Sequence, residues 1–222
     1  MYGVDTVDRL LQIGKTLTYK KGEIIYRPTD LDGQLFIIKS GMVHVYTIEE
    51  SGEIKVHIVY GANEIFPISW VIKRKPLNVF YEALTDCEIT KVNGDVAIDI
   101  MKEDATACFA MLEQTIKQFV MYSARVDNLE YKFVRERIAY SLLFLGRRFG
   151  KEEGEHITMH RFSQDLIANT SNVSRENVSR ELKRFERLGY IDYKFGFLKI
   201  LNKHALRKEL AHEDTPLFID DI

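Results

Sequence analysis

From Thr16 to about Asn93 the apolar residues fall in short runs parted by turn residues. Lys21-Gly22-Glu23 precedes Ile24-Ile25-Tyr26. Leu31-Asp32-Gly33 precedes Leu35-Phe36-Ile37-Ile38. Ser40-Gly41 precedes Met42-Val43-His44-Val45-Tyr46. Ser51-Gly52-Glu53 has the composition of a hairpin tip before the run Ile54 to Tyr60, and the runs Val79 to Leu84 and Cys87 to Val92 follow. Short runs with regular turn signals predict a closed antiparallel β structure, because Gly, Asp and Ser reverse the chain where each run stops. A short helix is expected within residues 1–15.

Near Asp104 the period becomes helical. Phe109, Leu112, Ile116, Phe119, Ser123 and Val126 are spaced 3, 4, 3, 4 and 3 residues apart. That is the seam of a two-stranded coiled coil with one polar position, Ser123. A helix packed on its own domain also carries an apolar stripe. Phe133 to Phe149 predicts a further helix and Gly150 to Gly154 a polar loop.

The stretch Ser163 to Gly189 then reads as two short helices around a tight turn. Ser163 can cap the first, its hydroxyl accepting from an orphan backbone N–H. Leu166 and Ile167 supply apolar contacts, and Ala168 lets a second helix pass close. Asn172 sits at the reversal, where a left-handed backbone is needed and Asn tolerates it. Ser174 caps again. Val178, Leu182, Phe185 and Leu188 form one stripe, and Gly189 stops the helix. Two β runs follow, Tyr190 to Tyr193 and Phe197 to Ile200, parted by the turn Lys194-Phe195-Gly196. They predict a wing beside the two helices.

The polar face of the second helix carries the candidate chemistry. Arg175, Glu176, Asn177, Ser179 and Arg180 crowd its first turns. Arg can pair with guanine O6 and N7, Asn with adenine, and Glu can accept from cytosine N4. Lys183, Arg184 and Arg187 on the flanks suit phosphate. Ser163 and Gln164 open the preceding helix and complete the expected DNA-contacting set. A solvated amphipathic helix of mixed charge is the plainer reading of the same residues. The caps, the turn and the Ser174-Arg175-Glu176-Asn177-Val178-Ser179-Arg180 run together favour DNA.

That run resembles the helix-turn-helix signature of the Crp/Fnr family of bacterial transcription regulators. Lys21-Gly22-Glu23-Ile24-Ile25 and Leu35-Phe36-Ile37-Ile38-Lys39-Ser40-Gly41 are similar to the strand and turn pieces of that family's effector domain. The resemblance implies an α+β chain: an N-terminal antiparallel β jelly roll over residues 1–103, a long dimerisation helix over 104–128, a winged helix-turn-helix over 129–210, and an acidic tail over 211–222. It places a hinge at Asn128-Leu129. It implies a homodimer, since two-fold operators need two-fold proteins, and RNA polymerase as a further partner where the protein activates.

Composition narrows the alternatives. The 222 residues suit one large or two medium domains, and 45% hydrophobic with 29% charged residues is ordinary for a globular chain. No apolar run reaches membrane-spanning length, and Met1 to Leu10 has no signal-peptide core. Cys87 and Cys108 are too few for a disulfide framework and fit a reducing cytoplasm. The net charge of −2 hides a division: residues 1–124 hold 13 Lys/Arg and 17 Asp/Glu, residues 125–210 hold 18 and 12, and residues 211–222 hold none and 4. The positive segment is the one with the helix-turn-helix, as attraction to phosphate requires.

The effector is not identified by the sequence. Cyclic-nucleotide-binding members of the family use a Gly-Glu pair for the ribose, then Arg followed by Ser or Thr for the phosphate. Here the matching segments read Asn63-Glu64-Ile65-Phe66-Pro67-Ile68-Ser69-Trp70 and Leu77-Asn78-Val79, so the usual cyclic AMP mode is not expected. Phe66 and Trp70 are candidate effector contacts or plain core. Haem would need an axial ligand, and His44 and His57 on predicted strands are more often structural. No metal cluster, Gly-rich phosphate loop or nucleophile elbow is present, so no catalytic residue is expected. A ligand-sensing module with secondary or lost DNA binding is the alternative.

Overall fold

The computed structural model describes residues 3–30, 33–75, 77–154 and 156–210. The chain divides into two compact units, one ending at Phe119 and the other starting at Val120.

The first unit opens with α1 (Gly3–Ile13), then β1 (Lys15–Tyr19), β2 (Ile24–Tyr26), β3 (Gln34–Ser40), β4 (Val43–Ile48), β5 (Ile54–Tyr60) and β6 (Ile65–Phe66). A short helix α2 (Ile68–Lys73) interrupts the strands before β7 (Phe80–Ala83) and β8 (Cys87–Asn93), and α3 (Gly94–Glu103) follows. The strands make two four-stranded antiparallel sheets, ordered β1-β8-β3-β6 and β2-β7-β4-β5. This is the expected β domain. The helices α2 and α3 do not show in the apolar pattern: six and ten residues among strands are too short to impose a helical period on it.

The first sheet is covered on both faces, which is why β3 reads as an unbroken apolar run. Leu35 and Ile37 join Val7, Leu10, Trp70, Val71, Ala97 and Ile100 from the helices in one core cluster. The two sheets meet through aromatic rings: Phe66 stacks on Tyr81 at 4.5 Å between centroids and on Tyr60 at 5.6 Å, and within its own sheet on Phe36 at 5.5 Å. Gly41, at φ 93, turns β3 into β4, and a Cβ there would sit 2.5 Å from the Asp86 carbonyl oxygen. No side chain fits that turn.

His44 on β4 lies across the ladder from Glu82 on β7, Nε2 to Oε1 3.4 Å, and Tyr46 donates to the same carboxylate at 2.9 Å. Burial pushes the His44 imidazole below its ordinary value near 6.5, against the pull of Glu82. The folded state therefore prefers neutral His44, and its contribution is present above about pH 6.5 and lost as the pH falls through the lowered value. Urea unfolding of wild type and His44→Gln is expected to show a steeper loss of stability below pH 6.5 in the wild type. Parallel pH profiles would contradict this.

α4 (Ala105–Glu130) is the longest element. The second unit continues with α5 (Val134–Phe149), β9 (Lys151–Glu153), β10 (His156–Arg161), α6 (Gln164–Ser171), α7 (Arg175–Arg187), β11 (Ile191–Lys194), β12 (Phe197–Ile200) and α8 (Lys203–Arg207). Its strands form one antiparallel sheet, β11-β12-β10-β9. The expected polar loop at 150–154 instead holds strand β9, whose exposed Lys-Glu-Glu sequence gives no apolar signal and which forms by pairing with β10. The wing is the β11–β12 hairpin. Its two turn residues, Phe195 and Gly196, both have positive φ, 53 and 86, as a two-residue hairpin turn demands. The acidic tail lies outside the described residues.

Candidate nucleic-acid interface

The helix pair at Ser163–Gly189 is built by local chemistry. Ser163 is the N-cap of α6, its Oγ accepting from the Leu166 N–H at 3.1 Å. Asn172 ends α6 in the left-handed region, φ 52 and ψ 50. Two residues later Ser174 caps α7, accepting from the Asn177 N–H at 3.3 Å. Val178, Leu182 and Phe185 are fully buried and hold α7 on the domain. Leu188 departs from the expected stripe: it is 48% exposed, because α7 ends at Arg187 and Leu188 turns away as the C-cap. Gly189, φ 73, and Tyr190 close that end, their N–H groups donating to Glu186 O and Phe185 O at 2.9 Å each.

The outer face of α7 forms a recess lined by Gln164, Arg175, Glu176, Ser179, Arg180, Lys183, Glu186 and Arg187. Seven of these come from the one helix, and Gln164 comes from the start of α6. Arg175 Nε lies 3.6 Å from Asp165 Oδ1, with both side chains more than half exposed. Arg180 donates to Asn177 Oδ1, which holds its guanidinium over the first turns of the helix. Glu176 is fully exposed, and hydrogen bonds from its own backbone N–H and the Ser174 hydroxyl hold its carboxyl below the usual range. It is a permanent acceptor. The recess thus joins four cations with the carboxylates of Glu176 and Glu186, side-chain types that can meet base edges and phosphates.

Arg184, also read from the sequence as a DNA contact, is engaged inside the domain. Its guanidinium is held by Glu209, Nη1 and Nη2 each donating at 3.0 Å, and Glu181 lies 3.5 Å away. A fork closed on a carboxylate that is itself only 10% exposed is a structural tie between α7 and the segment after α8. Of the three flanking cations read as phosphate contacts, Lys183 and Arg187 line the recess. Asn128, read from the sequence as a hinge residue, lies in the last turns of α4, is 3% exposed and is tied to α5 and α6.

On α4 the predicted seam is exposed: Phe109, Leu112, Ile116, Phe119 and Val126 are 50–70% accessible, with Ser123 half-buried among them. The opposite face of the same helix is buried through Ala107, Ala110, Met111, Met121 and Ala124.

The effector candidates are core. Phe66 is fully buried in the aromatic stack, and Trp70 is 5% exposed, edge-on to Tyr26 at 6.4 Å. Glu64 accepts from the Gly61 N–H at 2.6 Å, closing its own turn. Gln114 and Gln118 of α4 donate to the carbonyls of Asn63 at 3.1 Å and Ile65 at 2.6 Å. Lys73, Arg74 and Lys75 are exposed, and Arg74 pairs with Asp95. A cyclic phosphate needs a cation aimed inward, and these residues do not supply one. Among the described residues no group of three or more His, Cys, Asp or Glu side chains is placed to hold a metal ion.

Comparison with known proteins agrees with this geometry. Residues 16–104 match the family of cyclic nucleotide-binding domains, and residues 136–209 match the family of Crp-like helix-turn-helix domains. Electron transport regulator A of Shewanella oneidensis is 26% identical over 212 residues, covering 91% of this chain and 80% of that one. The HTH-type transcriptional regulator ArcR of Staphylococcus haemolyticus is 24% identical over 174 residues, 77% of this chain and 76% of that one. Among solved structures, FixK2 from Bradyrhizobium japonicum shares the fold with a TM-score of 0.77 at 18% identity, over 90% of this chain and 98% of that one. The c-di-GMP responsive global regulator CLP of Xanthomonas campestris does so with a TM-score of 0.74 at 21% identity, over 89% and 98%.

Proposed function

Since the chain belongs to the Crp/Fnr family of DNA-binding transcription regulators, we propose that it works as a homodimer that reads a near-palindromic operator with the outer face of α7. The observation that carries this is the recess on α7, where Arg175, Arg180, Lys183 and Arg187 converge with Glu176 and Ser179. Arg175, Glu176, Asn177 and Arg180 read base edges. Lys183 and Arg187 meet phosphates. Ser163, Gln164, Ser174 and Ser179 support the backbone contacts. The exposed stripe of α4 is the dimer seam, since five accessible large apolar side chains on one helix face are costly in water. Two half-sites then lie about 34 Å apart, one helical turn.

The reading places the protein in the cytoplasm, where the DNA is, and gives it RNA polymerase as a partner where it activates. Among the described residues no helix is long and apolar enough to cross a membrane. No substrate turnover belongs to this function. An effector bound near residues 63–65 would act on α4 through the Gln114 and Gln118 bonds.

Lys183 and Arg184 separate DNA contact from fold. In DNA titrations at several salt concentrations, Lys183→Ala should weaken all duplexes alike and lower the salt slope by about one for each phosphate no longer neutralised. Arg184→Ala should leave the slope unchanged and lower the stability by about 1–3 kcal/mol, because Glu209 loses both hydrogen bonds of the fork and keeps only Arg135, at 3.7 Å. An altered slope in Arg184→Ala, or none in Lys183→Ala, would reverse the two assignments.

A further inference from the structure

A helix leaves its last carbonyls without partners inside the helix, and each needs a donor from elsewhere. In α6 the Ala168 carbonyl takes the amides of Asn172 and Val173. The carbonyls after it are met by side chains from two other helices. Arg125 Nη1 of α4 donates to Thr170 O at 2.9 Å, and Nη2 reaches Asn169 O at 3.5 Å. Asn128, one turn further along α4, donates from Nδ2 to Thr170 O at 3.3 Å and to Ser141 Oγ of α5 at 2.8 Å. Arg137 Nη1 of α5 donates to Asn172 O at 3.2 Å.

These bonds lie on the segment that leads into α7. Asn172 makes the turn and Ser174 caps the recognition helix, so fixing the end of α6 fixes where α7 starts. Two guanidinium groups there also complement the negative end of the α6 dipole. The Arg125 charge is largely withdrawn from water, which pushes its pKa down. Desolvating a guanidinium is unfavourable unless it is well hydrogen-bonded, and here it meets two carbonyls. On the same turns of α4, Ser123 and Val126 belong to the seam.

We propose that Arg125 and Asn128 are positioning residues for DNA recognition: they lock the α6–α7 turn to the part of α4 that carries the dimer seam, so the pitch of each recognition helix follows the α4 pair. The inference rests on the dimeric DNA-reading function above. It assigns these two residues no contact with DNA.

The test uses the full-length protein. Amide hydrogen exchange is followed at Val173 and Asn177 of the turn and at Leu142 and Leu143 of α5, in wild type, Arg125→Met and Arg125→Lys. In parallel, each protein is titrated with a duplex that the wild type selects from a random-sequence pool, and with its scrambled version. In Arg125→Met the turn amides should exchange about tenfold faster with α5 unchanged. The ratio of selected to scrambled affinity should fall about tenfold. Arg125→Lys keeps the charge but not the fork, so it should leave scrambled binding unchanged and still show the fall in the ratio. Should Arg125→Met fail to fold, Arg125→Lys carries the comparison alone. Unchanged turn exchange, a loss of protection spread equally over α5, or a loosened turn with an unchanged ratio would each overturn the proposal. A wild type that selects no duplex would instead refute the DNA reading, and the exchange data would still decide the lock.

Discussion

Ile116→Glu is expected to convert the proposed dimer to a monomer and to weaken operator binding by about 100- to 10,000-fold. Ile116 lies in the middle of the α4 stripe and is 52% exposed in the single chain. Burying such a side chain against a partner contributes about 1.5–3 kcal/mol. A carboxylate there would have to be desolvated beside its symmetry mate, and like charges in an apolar seam repel strongly. The fold of either unit should survive, because the buried face of α4 is carried by other residues, Ala107, Met111 and Met121 among them. Operator affinity falls because two linked recognition helices bind with the gain of effective concentration that one alone lacks. Sedimentation gives the oligomeric state and a DNA titration gives the affinity. Lys117→Glu, an exposed position beside the stripe, makes the same kind of charge change and should do little. A dimeric Ile116→Glu that binds like wild type would remove the seam from α4.

Arg180→Ala should cost about 2–6 kcal/mol on a two-half-site operator, about 1–3 kcal/mol at each half-site. Arg180 is exposed in the recess, and its guanidinium is steadied by Asn177 Oδ1. A fork held in this way loses little freedom when it meets two acceptors on one guanine edge. The loss should therefore be selective: binding to the selected duplex falls while the scrambled duplex is nearly unaffected, and base preference relaxes at one position in each half-site. This contrasts with Lys183→Ala, which lowers both alike. Full retention of discrimination in Arg180→Ala would show that α7 does not read bases through this residue.

The helix pair was legible in the sequence because its signals act within four residues. Ser163 and Ser174 cap because a hydroxyl reaches an N–H three residues on, at 3.1 and 3.3 Å. Asn172 and Gly189 mark the places where the backbone takes φ 52 and φ 73. The α4 heptads could be read for the same reason, and so could the hairpin tips between strands. The helices α2 and α3 and the pairing of β9 with β10 were not legible, since short elements take their form from neighbours rather than from their own period.

The site shows the same division. The caps, the turn and the polar run together pointed to Arg175, Glu176, Asn177 and Arg180 as candidates, and the structure sets Arg175, Glu176 and Arg180 in one recess. Whether each cation is available was settled by distant parts of the chain. Glu209 takes Arg184 from 25 residues away, and Asn169 and Thr170 receive Arg125 from 44 and 45 residues away. Phe66 became core because rings from β3, β5 and β7 close around it, and Trp70 because the helices of the first unit pack over its sheet. Sequence by itself determined where the helices cap, turn and present charge, because a side chain competes locally for the backbone beside it. Only the tertiary structure decided which of those charges are engaged inside the protein, because an ion pair or a buried ring depends on which distant residues folding brings within about 4 Å.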